Sequence, residues 1–516
     1  MKKIFTLISL IISLNSYSQI QFEQKIVLGA PDYNEAIDAV ETSSGHYIIL
    51  GSVRVTGSTY NFTLTELDQY GNTVQCKMGS TVTVFPKDIS ITNTGEILVT
   101  GEYQVSSFER DIFLAKFTSN LDFIWLKRYG VAGGYDGGNT VFQLNNDKYV
   151  VTGHAKVVAN ASNPSILYLD TAGTLLNAFF LDNINQVGSS NFKATYLGDG
   201  RFSFINLNNI TCIVDTNNTI LANPPVGVSR GYSKDSQKDL NGNIAILSSS
   251  YNDTLTSYST VFTLYDSLCN TMLLNKKYSR WANNINGVKI STENSLNPSN
   301  YLIAANSELL SNSYTSALFF KVDQGGSIIW ARKYLPANLF ESKFNSFIKT
   351  SDGGYLLVGS IGPPPSDQFV VKTDSAGVSC SMTNFTIDVS SPTLISQSAQ
   401  NTLSGSIDSL QQLSNIFNPA TNTGNIFCSA VTSIQDFDHI PLTVYPNPMN
   451  DILNIEVAKA DQYILKVYTA TGQLLLNTEF KNNYQLNTSN YNAGFYLLRI
   501  EDKNGNVQAL RKLIKP

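Results

Sequence analysis

Three histidines, His46, His154 and His439, are all the imidazole this chain offers for acid–base or metal chemistry. No two form an H-x-H or H-E-x-x-H pair, the spacings that bring two ring nitrogens to one ion. His46 falls in a predicted turn, His154 follows a predicted strand end and His439 lies in a linker, so surface or turn positions are expected for all three. Gly227-Val228-Ser229-Arg230-Gly231 matches the G-x-S-x-G nucleophile elbow. That elbow needs a strand before the serine and a helix after it. Here Pro224-Pro225 precedes it and no helical period follows, so the stretch reads as a connecting loop. Asp239-Leu240-Asn241-Gly242 opens like a calcium loop but lacks the remaining ligands, and an aspartate that opens a turn needs no ion to explain it. A carboxylate pair for glycoside hydrolysis cannot be picked from a linear sequence when its members come from different repeats. These residues assign no catalytic group, no metal ligand and no cofactor.

The five cysteines are Cys76, Cys212, Cys269, Cys380 and Cys428, and none has CxxC spacing. Cys380 and Cys428 lie outside the repeats described below and bracket one region, which makes them the candidate disulfide. Two unrelated buried thiols remain the alternative.

The elements that must position any site are strands. Charged residues make up only 15% of the 516, while Tyr and Phe number 26 and 27, and Asn, Ser and Thr dominate the polar positions. That mixture favours strands and turns over helices. The formal charge of −5 is spread without a basic stripe, which argues against a nucleic-acid partner. Met1-Lys2-Lys3, an apolar run from Ile4 to Leu14 and Ser16-Tyr17-Ser18 read as a signal peptide, residues 1–18. The apolar run is about half the roughly 20 residues that a membrane-spanning helix needs, and no other segment could cross, so no transmembrane segment is expected in the mature chain.

An apolar strand ending in Gly or a small residue recurs at Tyr47–Gly51, Ile97–Gly101, Tyr149–Gly153, Phe202–Ile205, Ile244–Leu247, Tyr301–Ala305 and Tyr355–Gly359. Each is followed by a strand that ends at a turn opened by Asp68, Thr118, Asp170, Asp215, Asp266, Asp323 or Asp374, with a period of about 51 residues. In Asp68-Gln69-Tyr70-Gly71 and Asp374-Ser375-Ala376-Gly377 the opener stands three residues before Gly, which suits a type I turn closed by a left-handed residue. The next strand alternates and carries Lys and Arg, as in Phe123–Tyr129 and Ile328–Tyr334, and so reads as a guarded outer edge. Buried inner strands and a charged outer strand, repeated seven times, make an all-β, seven-bladed β-propeller over 19–380. Phe22–Gly29 is similar to the outer strand Trp125–Gly130 and is expected to complete the seventh blade. The rivals are an open solenoid or a ring of six or eight blades.

Residues 381–435 hold only Asp388 and Asp408 as charges, which predicts a Ser/Thr/Asn-rich linker, partly ordered, or a loose cap. From 436 to 516, short alternating strands with turn signals read as a small β-sandwich.

The units resemble the propeller repeats, with DGGY…G and K-x-D-x-x-G-x-x-x-W patterns, common in secreted proteins of Gram-negative bacteria. The likeness covers about 70% of the chain, with units four and five degenerate, and implies no specific activity. The C-terminal module is similar to the type A sorting domain of the type IX secretion system. The match is carried by Tyr445-Pro446-Asn447-Pro448, the turn at Gly472, the strand from Gly494 through Tyr496, and the basic tail with Lys512. Asn450-Asp451 departs from the small residue often found there. The resemblance implies Sec export, engagement of the type IX machinery, and removal of the domain with attachment to the outer-membrane surface. Five tripeptides resemble the D-[ST]-aliphatic sites that some such bacteria O-glycosylate, at Thr171, Thr254, Ser267, Ser375 and Ser409. The whole points to a secreted or surface-attached, non-enzymatic binding or adhesion protein with an extracellular ligand, for which the aromatic content suits glycan. A hydrolase or lyase with its site in the propeller channel, and a structural surface-layer component, are the alternatives.

Overall fold

The computed structural model describes residues 19–515 apart from short connections, chief among them 29–32, 183–192, 206–210, 294–299, 310–314, 335–340, 398–401, 405–408 and 432–436. Among the described residues every regular element is a strand. Two units divide the chain, one of residues 21–429 and one built mainly from 430–516.

The first unit is a seven-bladed propeller. Each blade is an antiparallel sheet of four strands taken in chain order from the axis outward, beginning with Tyr33–Glu41, Val84–Ile91, Gly137–Gln143, Lys193–Tyr196, Gly231–Lys238, Asn283–Glu293 and Ser342–Lys349. In blade 7 the chain supplies only three, and the fourth is Ile20–Leu28, paired antiparallel with Asp367–Thr373. The expected N-terminal closure is therefore present. Side-chain packing shows why it holds. In blades 2 and 6 the outer-strand Trp125 and Trp330 lie beneath the turn glycine of the following blade, so close that a Cβ on Gly173 or Gly377 would meet them at 2.8 and 2.5 Å. Phe22 does the same for blade 7, at 2.6 Å from such a Cβ on Gly71 of blade 1. At these three junctions an aromatic tucks under the next turn, and the repeat signature of turn glycine and tryptophan is there a contact between blades.

The second repeat glycine has a different cause. The innermost strand carries a β-bulge in blades 1, 2, 3, 5, 6 and 7, as between Phe344 and Ser346. The bulge pushes backbone against the neighbouring strand. A Cβ on Gly359, Gly153 or Gly101 would fall inside contact distance of the carbonyl oxygen of Lys343, Gly137 or Phe85. In blade 6 the strand ends in Ala305 and the glycine has moved to its partner, Gly287.

Between blades the core is aliphatic and aromatic. Ile48, Leu50, Phe62 and Leu64 of blade 1 pack on Val84, Val99 and Phe113 of blade 2, and Leu302 and Phe319 of blade 6 on Phe347, Tyr355 and Leu357 of blade 7. The turns on one face form as the sequence suggests. Asp68 accepts from the Gly71 amide at its carbonyl and from the Asn72 amide at its side chain, and Gly71 has φ 87°. Where glycine is missing, Leu121 and Cys269 take the left-handed position at φ 61° and 55°.

The stretch after blade 7, for which the sequence offers a partly ordered linker or a loose cap, forms strands. It runs around the rim and adds a short antiparallel strand to one sheet after another. Met382–Asn384 joins blade 6 and Asp388–Ser390 blade 5. Ser396–Gln397 pairs with Val226–Gly227, on the connection from blade 4 to blade 5. Thr402–Ser404, Ser409–Leu413 and Phe417–Pro419 join blades 3, 2 and 1, and Asn422–Val431 lies beside Ile20–Leu28 in blade 7. An outer strand otherwise presents unpaired amides and carbonyls, and this belt satisfies them. Its only charges are Asp388 and Asp408, and because it gains by backbone pairing along an edge its order leaves little mark in side-chain type.

The second unit is an eight-stranded antiparallel β-sandwich. Its strand order is Phe437–Asp438, Val507–Lys515, Gly494–Asp502, Gln462–Thr469, Leu474–Lys481, Asn483–Asn487, Ile452–Val457 and Leu442–Tyr445. Only Lys481 and Asn483 link the fifth and sixth strands, so the sheet folds over there into two layers. Leu453, Ile455 and Val457 alternate inward against Leu465, Val467, Leu498 and Ile500.

Candidate functional site

Seven innermost strands converge on the propeller axis, and polar groups bridge them there. Lys289 of blade 6 reaches Ser346 Oγ of blade 7 at 2.6 Å and Asp38 Oδ1 of blade 1 at 3.2 Å, and Ser346 also bonds Asp38. Blades 6 and 1 are not neighbours in the ring, so a direct contact between them is possible only at its centre. Asp88 of blade 2 accepts the Val141 amide of blade 3 at 2.7 Å, and Asp235 of blade 5 accepts the Ile290 amide of blade 6 at 2.9 Å. All three aspartates follow a bulge, which turns them toward the next blade. They act as staples between inner strands.

The richer surface lies on the face that carries the turns between second and third strands and the connections between blades. Phe108, at the tip of such a turn in blade 2, is 88% exposed. Two residues on, the Arg110 guanidinium is held between two rings, 4.2 Å from the Phe85 centroid and 4.6 Å from that of Tyr135. Tyr60 of blade 1 packs on Phe85 with centroids 5.0 Å apart. Behind them Glu102 bonds Arg110, and Lys87 stands 3.5 Å from its other oxygen. Burial works to raise the Glu102 pKa, but Lys87 and Arg110 outweigh it and hold the carboxyl below the usual value, so it is ionised. The loop from blade 2 to blade 3 is tied down by Asp136, whose side chain accepts the Val131 amide at 2.6 Å, and by Glu109, which accepts the Gly133 amide at 2.8 Å. This gives an aromatic and cationic patch on blades 1 and 2 and the connection to blade 3, with Arg110 fixed between its rings and Phe108 projecting into solvent.

The residues singled out by sequence fall elsewhere. His154 is not at a strand end or surface. It lies within Tyr149–Val158, is fully buried, stacks on Tyr135, and has no hydrogen-bond partner for either ring nitrogen among the described residues. The strand does not stop at Gly153 but runs on to Val158, which carries the imidazole inside. His46 closes a turn just before the strand Tyr47–Thr56, with Nδ1 2.7 Å from Glu66 Oε1, and His439 lies outside the described residues. In the G-x-S-x-G stretch Gly227 ends a short strand, Gly231 opens the innermost strand of blade 5, and Ser229 lies outside the described residues. Asp239 closes its own turn by accepting the Asn241 and Asn243 amides. Thr171, Ser267 and Ser375 sit on turns of the face opposite the aromatic patch, with Thr171 and Ser375 exposed. Thr254 and the side chain of Ser409 lie outside the described residues. Cys76 and Cys269 are buried free thiols, and Cys380 is disulfide-bonded, while the side chain of Cys428 lies outside the described residues.

In the sandwich, the Tyr445–Pro448 loop is zipped to the final strand. Asn447 Oδ1 accepts the Ile514 amide at 2.9 Å, and the Met449 amide donates to the Ile514 carbonyl at 2.6 Å. The departure at Asn450-Asp451 is accommodated, since Lys515 Nζ donates to the Asn450 carbonyl at 3.0 Å and lies 3.3 Å from Asp451 Oδ1. Tyr496 is buried, with its hydroxyl on the Asn492 carbonyl at 2.8 Å. Gly494 opens that strand, Lys512 pairs through its backbone with Leu497, and Gly472 lies outside the described residues.

Residues 443–516 match a protein-family model described as the secretion system C-terminal sorting domain. The C-terminal module is a type IX sorting domain. It supports export to the cell surface or beyond and implies interaction with that machinery. No curated protein matches the chain. Among solved structures it is similar to Sqt1 from Chaetomium thermophilum, at 6% identity over 67% of this chain and 99% of that one, with a TM-score of 0.36. It is also similar to a neuraminidase-like protein of a flat-faced bat isolate, at 9% identity over 60% and 96%, with a TM-score of 0.36. The seven-bladed assignment rests on the strand pairing above. Among the described residues no helix is long and apolar enough to cross a membrane.

Proposed function

We propose that this type IX cargo is a surface-displayed, non-catalytic binding or adhesion propeller, and that it takes its ligand on the patch formed by Tyr60, Phe85, Phe108, Arg110 and Tyr135. The observation that carries this reading is Phe108, a large aromatic left almost wholly in water beside a guanidinium already fixed between two rings. An exposed aromatic ring near a positioned cation suits sugar rings and acidic glycans, because stacking and charge act together. At the axis Asp38, Asp88 and Asp235 are already engaged by donors of other blades, which suits a stapling role better than acid–base work. In the same reading, glycosylation of Thr171, Ser267 and Ser375 would decorate the opposite face and leave the patch clear, and the sorting domain is removed after export.

The test is a glycan and polysaccharide binding screen on the mature secreted protein, with product analysis of each hit. Binding to an unaltered glycan, weakened about 10-fold in Phe108→Ala or Arg110→Ala, is the expected result. A shortened ligand would overturn the non-catalytic reading and turn attention to the axial carboxylates. Binding that neither substitution touches would move the site off this patch.

A further inference from the structure

We propose that Cys380 and Cys428 are joined, and that their bridge closes the rim belt into a covalent hoop around the propeller. The two ends of the belt meet on one strand. At the start, Ser381 donates its amide and hydroxyl to the Glu23 carboxylate at 2.6 and 2.7 Å, and Ser379 donates to the same group. Glu23 lies in Ile20–Leu28, the N-terminal strand that completes blade 7. Cys380 therefore sits between two residues that are both pinned to this strand. At the finish, Cys428 lies in Asn422–Val431, the strand that pairs with Ile20–Leu28 from outside. Between these points the chain visits blades 6 and 5, the connection from blade 4, and blades 3, 2 and 1 before reaching blade 7, which is one circuit of the rim.

Elimination gives the same partner. Cys380 is disulfide-bonded, and Cys76 and Cys269 are free, which leaves Cys212 and Cys428. Cys212 lies in the third strand of blade 4, with blades 5 and 6 between it and Cys380, whereas a disulfide requires Cα atoms within about 7 Å. Forming the bridge removes two hydrogens from two thiols. The disulfide of a thiol–disulfide oxidant accepts the two electrons and two protons and leaves as a dithiol. The sorting domain begins after the clasp, so its removal leaves the hoop closed.

The chain provides its own test. Cleavage before aspartate cuts the belt at Asp388 and Asp408 and separates peptide 374–387, with Cys380, from 408–435, with Cys428. In secreted protein purified without reductant and alkylated in denaturant, these two peptides are expected as one species that parts on reduction. Linkage of 374–387 to the peptide carrying Cys212, or an alkylated Cys380, overturns the proposal. The cinching role is read separately by limited proteolysis of Cys428→Ser. Cleavage within 381–431 should be at least about 10-fold faster than in the parent protein. An unchanged rate would show that the bridge does not hold the belt down.

Discussion

His154 sits in blade 3 with both ring nitrogens shut away from solvent, and desolvation pushes its pKa down to about 4 from 6.5, with Glu102 pulling the other way and Lys87 and Arg110 adding to the fall. The sign follows from linkage. Between those values the unfolded chain binds a proton that the folded protein refuses, so stability is complete above about pH 6.5 and falls as pH drops toward 4. The loss amounts to about 3 kcal/mol at most. A His154→Gln variant should lack this acid limb, measured as the urea midpoint across pH 4 to 7. An equal slope in both proteins would assign the limb to the carboxylates. Glu23 gives the second prediction at this scale. It is fully buried and takes bonds from Ser379, Ser381 and Tyr334, the last at 3.1 Å. Glu23→Ala strands these donors and is expected to cost about 3 kcal/mol in unfolding free energy.

The belt and the N-terminal strand solve one problem together. A ring of blades can open wherever two neighbours share only side-chain packing, and the last blade is the weak point because its strands come from both ends of the chain. Ile20–Leu28 fills the fourth place in blade 7, Phe22 seats on blade 1, and Asn422–Val431 covers the strand from outside. Closing a loop of about 49 residues with a disulfide removes on the order of 4 kcal/mol of chain entropy from the unfolded state. Cys428→Ser should therefore lower the denaturant midpoint, whereas Cys76→Ser, at a buried free thiol, should show only its local packing cost. No lysine or arginine lies between Lys372 and Lys459, so trypsin cannot nick the belt itself.

At the scale of the molecule, one unit supplies the surface and the other the address. The Tyr445–Pro448 loop is fastened to the last strand through Ile514, so the two ends of the sorting motif are one structural feature although they lie far apart in sequence. Deleting 443–516 is expected to leave the propeller and belt inside the cell envelope, with none at the surface or in the medium. Fractionation with an antibody against the propeller reads this directly. Surface delivery of the truncated chain would mean that a second signal exists.

By itself the sequence determined the seven repeats, the closure by the N-terminal strand, the sandwich and the address, because each rests on local chemistry. Turn-opening aspartates three residues before glycine, apolar runs at a fixed period and the Tyr445–Pro448 motif are all read within a few residues of themselves. Only the tertiary structure decided the belt, the buried place of His154 and the aromatic patch. The belt is held by backbone hydrogen bonds to edges as near as Tyr334, opposite Met382, and as far as Gly79, opposite Phe417, and backbone pairing leaves no mark in side-chain type. His154 was hidden because the ring stacked on it, Tyr135, comes from the connection between blades, and the patch because Tyr60, Phe85, Arg110 and Tyr135 meet only when blades 1 and 2 and the connection to blade 3 are wound side by side.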